Sequence, residues 1–184
     1  MKKENVVRVM ADRTPIVKFF PSNDETVVVA GNNLGNVAFW GADLKDKESG
    51  IYLYNPHSGH ILGIEVQPYS LSKIYSTSYD GFICVMDIEK ELFNVLYSCD
   101  KFIHSLSLRP YEAESLYFGD GDGFLNVWDE RAGKCFSPVM LHDKKISTMD
   151  FNPVNTNMMV TSTTDQSACI WDLRKINSQK TGST

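Results

Sequence analysis

The side chains in this sequence that could do chemistry are histidines and aspartates that recur at fixed distances. His57 and His142 each lie 11 residues before a proline, and Asp80 and Asp165 each lie six residues before a Met or Trp. A histidine beside a carboxylate could act as a general base, but no nucleophile recurs with the pair in a known catalytic motif. A recurring pair is better explained by buried imidazole and indole groups, which need polar partners. We therefore interpret these residues as structural.

The prolines and tryptophans around these residues repeat four times. Prolines at 21, 68, 110 and 153 are spaced by 47, 42 and 43 residues, and Trp40, Met86, Trp128 and Trp171 are spaced by 46, 42 and 43. Each copy contains short runs of alternating apolar and polar residues between polar turns, which predicts strands. A period of about 40–45 residues that ends in Trp-Asp is typical of a propeller blade. We therefore predict an all-β fold, a WD-repeat β-propeller of about four four-stranded blades.

The repeats can be placed along the chain. They occupy residues 11–54, 57–97, 99–140 and 142–174 of a propeller region 1–176, and residues 177–184 form a polar C-terminal tail. The fourth copy has no predicted outer strand, whereas residues 6–10 form a strand pattern with no blade before it. We expect a partial, open half-propeller with a bare edge strand. The alternative is that residues 6–10 close onto the fourth blade.

The repeat register predicts a tetrad in each blade. It consists of a His before the first strand, a Ser or Thr on the second strand, an Asp in the following turn and a Trp on the third strand. The residues assigned to it are His57, Asp80, Asp122, Trp128, His142, Asp165 and Trp171. Ser76 or Ser78, and Thr161 or Thr163, supply the hydroxyl. Cys99 replaces the His in the third copy, and the first copy keeps only Trp40, with Met10 in the His position.

Composition and motif content exclude several classes of function. The net charge of −5 gives no overall basic footprint, and no run of 18 apolar residues predicts a membrane span. The cysteines lack zinc-site spacing, which predicts reduced thiols and no metal; they are Cys84, Cys99, Cys135 and Cys169. The Gly-Asp-Gly-Asp-Gly run at 119–123 supplies too few oxygen ligands for a hard cation and is interpreted as a hairpin turn. We predict no cofactor, no membrane partner and no enzymatic activity.

Binding remains as the predicted mode of action, through loops on the propeller rim. Lys144 and Lys145 lie in the loop that leads into the fourth copy, and Lys101 lies at the equivalent place in the third. These ammonium groups could contact phosphates as point charges, and the alternative is that they are solvated surface lysines.

Longer strings resemble a known family. Residues 141–153 and 170–174 resemble a blade of damage-binding protein 2, and residues 71–81 and 115–119 are similar to plant members of the family of WD repeat-containing protein 76 and the fungal changed-mutation-rate protein. The resemblance covers about residues 5–176 and indicates a truncated plant member. It implies a seven-bladed nuclear propeller that binds DNA or chromatin in the response to DNA damage.

The resemblance also implies an alternative function, a protein-interaction scaffold that acts as substrate receptor of a cullin-4 ubiquitin ligase. Asp129 with Arg131, and Asp172 with Arg174, match the Trp-Asp-x-Arg box that docks on the cullin-4 adaptor. Each guanidinium could form a fork to a partner carboxylate or carbonyl. The other possibility is that each Arg only pairs with its own Asp, where it would add little stability.

Overall fold

The structure is a computed structural model that describes residues 6–43, 50–67, 72–112 and 114–179. Pro68 and Leu71, which contributed to the repeat pattern and to the family resemblance, lie outside these residues. The described chain forms four antiparallel sheets, numbered here in chain order. They divide between two compact units, residues 1–100 and residues 101–184, each with two sheets.

Sheets 1 and 2 are four-stranded meanders in the first unit. Sheet 1 consists of β1 (Ile16–Phe20), β2 (Val27–Gly31), β3 (Val37–Gly41) and β4 (Ile51–Tyr54), and sheet 2 consists of β5 (Ile61–Val66), β6 (Lys73–Ser78), β7 (Phe82–Asp87) and β8 (Leu92–Ser98). The strands pair in chain order, so each strand lies beside the one that follows it in the sequence. Pro21 follows β1 directly, because proline has no N–H to continue the ladder.

Sheets 3 and 4 form the second unit. Sheet 3 consists of β9 (Ile103–Leu108), β10 (Ser115–Asp120), β11 (Phe124–Asp129), β12 (Lys134–Cys135) and β13 (Val139–Met140), and sheet 4 consists of β14 (Ile146–Phe151), β15 (Met158–Thr163) and β16 (Ala168–Asp172), which the helix α1 (Leu173–Gln179) follows. Both β12 and β13 pair with β11, so the fourth strand of sheet 3 is split into two pieces. In sheet 4 the described residues add no fourth strand, and β16 is its outer edge.

The all-β fold predicted from the repeat is confirmed, with four antiparallel sheets of three to five strands. The strand predicted for residues 6–10 is wrong, because this segment forms no ladder. The Arg8 guanidinium instead donates to the carbonyls of Met10 and Ala11, which stabilises a local bend. Met10 is buried there against Ala30 and Ala38 of sheet 1.

Each unit has its own apolar core between its two sheets. In the first unit Val29 and Val37 of sheet 1 pack with Ile61 and Ile64 of β5. In the second unit, residues of β10, β11, β14, β15 and α1 form one cluster, namely Tyr117, Leu125, Ile146, Met149, Phe151, Met159, Leu173 and Ile176. Burial of each large side chain contributes about 1.5–3 kcal/mol. The helix α1 places the Ile176 side chain in this core, which explains why the segment after β16 is helical. From the sequence, this segment was predicted only to be polar.

No helix in the described part of the chain has the length and apolar character needed to cross a membrane.

Candidate functional site

The polar cluster of sheet 2 is centred on His57, which is buried just before β5. Its Nδ1 lies 3.1 and 3.2 Å from the two carboxylate oxygens of Asp80, and its Nε2 lies 2.9 Å from the Ser76 hydroxyl. Burial lowers the pKa of His57 from its usual 6.5 in spite of the nearby Asp80 charge. The ring is therefore neutral at neutral pH. Because a carboxylate only accepts hydrogen bonds, Nδ1 donates to Asp80, and Nε2 accepts from Ser76.

The Ser76–His57–Asp80 series has the connectivity of a hydrolase triad, but it cannot act as one. Ser76 lies within β6 and is 0% exposed. A nucleophilic hydroxyl must reach the carbonyl of a substrate, which this one cannot do. Asp80 also accepts hydrogen bonds from the amides of Ser58 and Phe82. The cluster therefore ties the loop before β5 to the β6 strand and to the β6–β7 turn.

Sheet 4 contains a related cluster around Thr161. The Thr161 hydroxyl lies 2.6 Å from His142 Nε2 and accepts a hydrogen bond of 2.7 Å from the Trp171 indole N–H. The His142 and Trp171 rings meet edge to face with centroids 5.5 Å apart. Of the two hydroxyls that the sequence left open, Thr161 makes these contacts, whereas the Thr163 hydroxyl accepts from the Asp165 amide. The arrangement links the loop before β14 to β15 and β16.

Asp165 contributes to this cluster only at a distance. Its side chain is exposed and accepts a hydrogen bond of 2.8 Å from the Ser167 amide. The pKa of Asp165 is lowered chiefly by the hydrogen bonds from Ser167, with a smaller effect of the His142 charge. Among the described contacts Asp165 has no hydrogen bond to His142, so it differs from Asp80 in sheet 2.

The prediction that Asp122 belongs to a buried tetrad is corrected by the structure. The Asp122 side chain is 58% exposed and forms an ion pair with Lys101. The third copy has Cys99 at the histidine position, so no imidazole is available to draw the carboxylate inward. Trp128, the other residue assigned to this copy, lies on β11 opposite Leu116 of β10.

Sheet 1 fills the same positions with apolar residues. Met10 takes the place of the histidine and packs on Ala30, which lies at the position of Thr161, and on Ala38. The Trp40 indole N–H is buried and finds no hydrogen-bond partner among the described residues. The absence of a hydroxyl at Ala30 explains this, because Thr161 is the acceptor for the equivalent Trp171.

Sequence reasoning missed a second polar role in each repeat, although it had named Ser78 and Thr163 as candidate tetrad hydroxyls. At the end of each second strand, or directly after it, a short polar residue accepts hydrogen bonds from amides of the following turn; the four are Asn32, Ser78, Asp120 and Thr163. Asp120 is buried and its carboxylate also accepts from the Asn126 amide group. The signal was available, because each of these residues lies three positions before the turn residue with positive φ, which is Gly35, Gly81, Gly123 or Gln166.

The three lysines predicted to contact phosphate belong to the second unit and differ in their surroundings. Lys101 pairs with Asp122, and its ammonium lies 5.3 Å from the centroid of the Phe124 ring. Lys145 is half-buried. Burial lowers the pKa of His104, and the nearby Lys145 charge lowers it further. Lys144 is exposed and has no ion pair within the part of the chain that the structure describes.

The turn between β10 and β11 brings these lysines to the same rim. The Gly123 carbonyl accepts hydrogen bonds from the amides of Leu141 and His142, and the Gly121 amide donates to Phe102. Gly123 has φ +88, and a Cβ there would lie 2.0 Å from the His142 carbonyl and 2.7 Å from that of Lys144. Only glycine fits this backbone contact, so the turn holds both the segment next to Lys101 and the loop of Lys144 and Lys145.

The two Trp-Asp-x-Arg boxes have different geometries. The Arg174 guanidinium binds the Asp172 carboxylate through two hydrogen bonds of 2.9 and 2.7 Å, and this contact lowers the Asp172 pKa to about 2. Asp129 instead accepts from the Ala132 amide. The Arg131 side chain is 81% exposed, with its nearest carboxylate oxygen on Glu114 at 4.0 Å. The Arg174 guanidinium is therefore bound by the Asp of its own motif, whereas the Arg131 guanidinium is not.

Comparison with known proteins places the chain among WD-repeat proteins. Residues 133–172 match the family model "WD domain, G-beta repeat". The chain is also similar in fold to the crystal structure of the computationally designed Ika4 protein, with a TM-score of 0.72 over 94% of this chain and 99% of that one, at 18% sequence identity.

Curated relatives match nearly the whole chain. It is 31% identical to the DNA damage-binding protein CMR1 of Scheffersomyces stipitis, over 93% of this chain and 36% of that protein. It is 30% identical to the protein of the same name from Debaryomyces hansenii, over 93% of the chain and 32% of that protein. It is 27% identical to WD repeat-containing protein 76 of Xenopus laevis, over 96% and 31%. The chain therefore spans about a third of the length of the curated relatives it matches.

Proposed function

We propose that this chain, a WD40 protein related to the CMR1 proteins and to WD repeat-containing protein 76, binds DNA in the nucleus through the loop of Lys144 and Lys145. The single observation that carries the proposal is the Lys144 ammonium, which is exposed and has no ion pair among the described residues. The printed name of the CMR1 relatives, DNA damage-binding protein, supports the choice of ligand and a role in the response to DNA damage.

The charged side chains of the rim determine how many phosphate contacts this interface could make. Lys144 and Lys145 are each available for a phosphate, whereas Lys101 is held by Asp122. His104 adds no charge near neutral pH because burial and Lys145 lower its pKa. Two phosphate contacts predict a slope of about −1.8 in a plot of log affinity against log salt concentration. Phosphate contacts of this kind position the protein on the DNA backbone and do not distinguish one base sequence from another.

The test is a salt titration of binding to a fluorescent DNA duplex, with and without a lesion. The double variant Lys144→Glu, Lys145→Glu should lose most of the affinity and most of the salt slope. A control is Arg13→Glu, Lys134→Glu, which makes the same change in net charge at two other exposed basic residues. If the two double variants lose affinity equally, or if neither does, the assignment of the site is wrong.

The ion pair of Lys101 allows a test in the opposite direction. Asp122→Asn removes a negative charge from the rim and the ion pair between Asp122 and Lys101, so it should raise affinity a few-fold and steepen the salt slope by about 0.9. Because Asp122 is 58% exposed, this substitution should leave stability nearly unchanged. Unchanged DNA affinity would show that Lys101 lies outside the contact.

A second candidate function, docking on a cullin-4 adaptor, is favoured by the geometry of Arg131. Its guanidinium is exposed and free of Asp129, whereas Arg174 is engaged by Asp172. Arg131→Ala should therefore abolish co-purification of the adaptor, and Arg174→Ala should have a smaller effect. Adaptor capture that survives both substitutions would contradict the proposal.

A further inference from the structure

Sheets 1 and 4 each expose an apolar surface at positions that are covered elsewhere in the chain. In β14 the residues two and four positions before the following proline point toward sheet 3. These are Phe151 and Met149, which are 4% and 8% exposed and pack on sheet 3. The equivalent residues of β1 are Phe19 and Val17, which are 75% and 65% exposed. Sheet 1 thus has an insertion face, defined by Val17 and Phe19, that has no sheet to pack on within its unit.

The complementary surface lies on sheet 4. In sheet 3 the pair Tyr117 and Val127, opposite each other in the ladder, receives β14, and the Tyr117 and Phe151 ring centroids lie 4.9 Å apart. The equivalent ladder pair of sheet 4 is Val160 and Ile170, which are 41% and 74% exposed. These two residues define a receiving face on sheet 4 that holds no inner strand within its unit.

Charges match across the two faces. Three positions before the proline, Lys18 of β1 and Glu65 of β5 form an ion pair between the first strands of adjacent sheets. The residue at this position in β14 is Asp150, which is exposed. A β1 strand placed on sheet 4 would set Lys18 opposite Asp150 and so repeat an attractive pair that the chain already uses.

We propose that two copies of this chain associate head to tail, with the insertion face of one copy packed on the receiving face of the other. The contact is heterologous, since two different surfaces meet. Each copy carries one of each surface, and the packing of β14 on sheet 3 is its internal template. Exposed apolar surface of this kind is typical of an interaction site.

The turn between β15 and β16 determines which part of the proposed contact between two copies can form. Gly35 and Gly123 allow the carbonyl of the following loop to approach, and Gln166, with φ 72, occupies this position in sheet 4. A side chain at this position would occupy the space that the loop carbonyl takes at Gly35 and Gly123, where an added Cβ would lie 2.1 and 2.0 Å from that carbonyl oxygen. The association therefore rests on the inner strands and does not repeat the loop contact.

The first experiment measures the mass of the 184-residue chain by light scattering and sedimentation over a range of concentrations. The wild-type chain should exceed its monomer mass of 20.8 kDa as concentration rises. Phe19→Asp and Ile170→Asp should each weaken self-association by about tenfold or more, because each places a charge in an apolar contact. Both residues are largely exposed, so circular dichroism and melting should match the wild type. Val154→Asp, at a residue 93% exposed in a loop, is the matched control and should associate normally.

A mixing experiment then tests the head-to-tail geometry itself. The Phe19→Asp chain keeps its receiving face and the Ile170→Asp chain keeps its insertion face, so the two variants together should form a one-to-one heterodimer that neither forms alone. A wild-type chain that stays monomeric throughout would overturn the proposal. Association that Val154→Asp weakens equally, or a mixture that remains monomeric, would overturn it as well.

Discussion

Replacement of Thr161 by Val is the sharpest test of how the loop before β14 is held. The Thr161 side chain is 1% exposed, and its hydroxyl bonds both His142 Nε2 and the Trp171 N–H. Valine has nearly the same shape, so the substitution creates no cavity and removes only the hydroxyl. The change leaves two polar groups on different elements without their shared partner.

The magnitude follows from the burial of those two groups. A buried polar group left unsatisfied costs about 1–3 kcal/mol. His142 is buried and pays most of this cost, whereas Trp171 is only half-buried and can recover part of it through water. The sum is about 2–4 kcal/mol. Thr161→Ser keeps the hydroxyl and loses one methyl group, so it should cost only about 1 kcal/mol.

The assay is urea unfolding of the whole chain, followed by tryptophan fluorescence, with the midpoint and slope compared between variants. Thr148→Val is the matched control, because the Thr148 hydroxyl bonds Ser162 at an exposed site and its loss should change stability by less than about 0.5 kcal/mol. If Thr161→Val costs no more than Thr161→Ser, the shared hydroxyl is not what holds His142, and the reasoning for sheet 4 fails.

Two further predictions concern backbone and pH. Gly123→Ala should destabilise by at least about 3 kcal/mol, because it adds a steric clash to the cost of positive φ. Gly133→Ala, at φ +61 with nothing within 4 Å of the added Cβ, should cost only about 1 kcal/mol in the same unfolding assay, and equal costs would refute the clash. Because the pKa of His57 is lowered from 6.5, the unfolded state binds more protons just below that pH. The stability contributed by neutral His57 is thus complete above pH 6.5 and is lost as the pH falls toward its folded pKa, and urea titrations at about pH 7.5 and 5.5 should show a smaller difference for His57→Gln than for the wild type.

The strands were predictable because their signals are local. The first strands of sheets 3 and 4 end two residues before a proline, which has no N–H to continue the ladder, and their apolar alternation fixes the buried face. The same local rule failed at residues 6–10, which alternate like a strand but bend where the Arg8 side chain bonds nearby carbonyls. A periodicity of two cannot report whether a neighbouring strand is available to pair.

Tetrad membership was harder to predict because it depends on two positions at once. Asp80 and Asp122 occupy the same place in their repeats, yet Asp80 meets His57 and Asp122 meets Lys101. The difference arises from the residue before the first strand of the same sheet, which is His57 in sheet 2 and Cys99 in sheet 3. A carboxylate without an imidazole to receive its hydrogen bond stays in water, where its charge is solvated.

These two outcomes connect the scaffold to the proposed DNA contact. His142 is anchored by Thr161, and Lys144 lies only two residues further along the same loop. Because His142 fixes the backbone of this loop, Lys144 and Lys145 should lose less conformational entropy when they bind DNA. Thr161→Val should therefore weaken DNA binding as well as stability, although Thr161 is buried and touches no DNA. The double variant Lys144→Glu, Lys145→Glu should do the reverse, weakening binding while leaving the unfolding midpoint close to that of the wild type. If the two variants had the same effect on both measurements, His142 and the lysines would not have the two separate roles proposed here, which are to anchor the loop and to contact DNA.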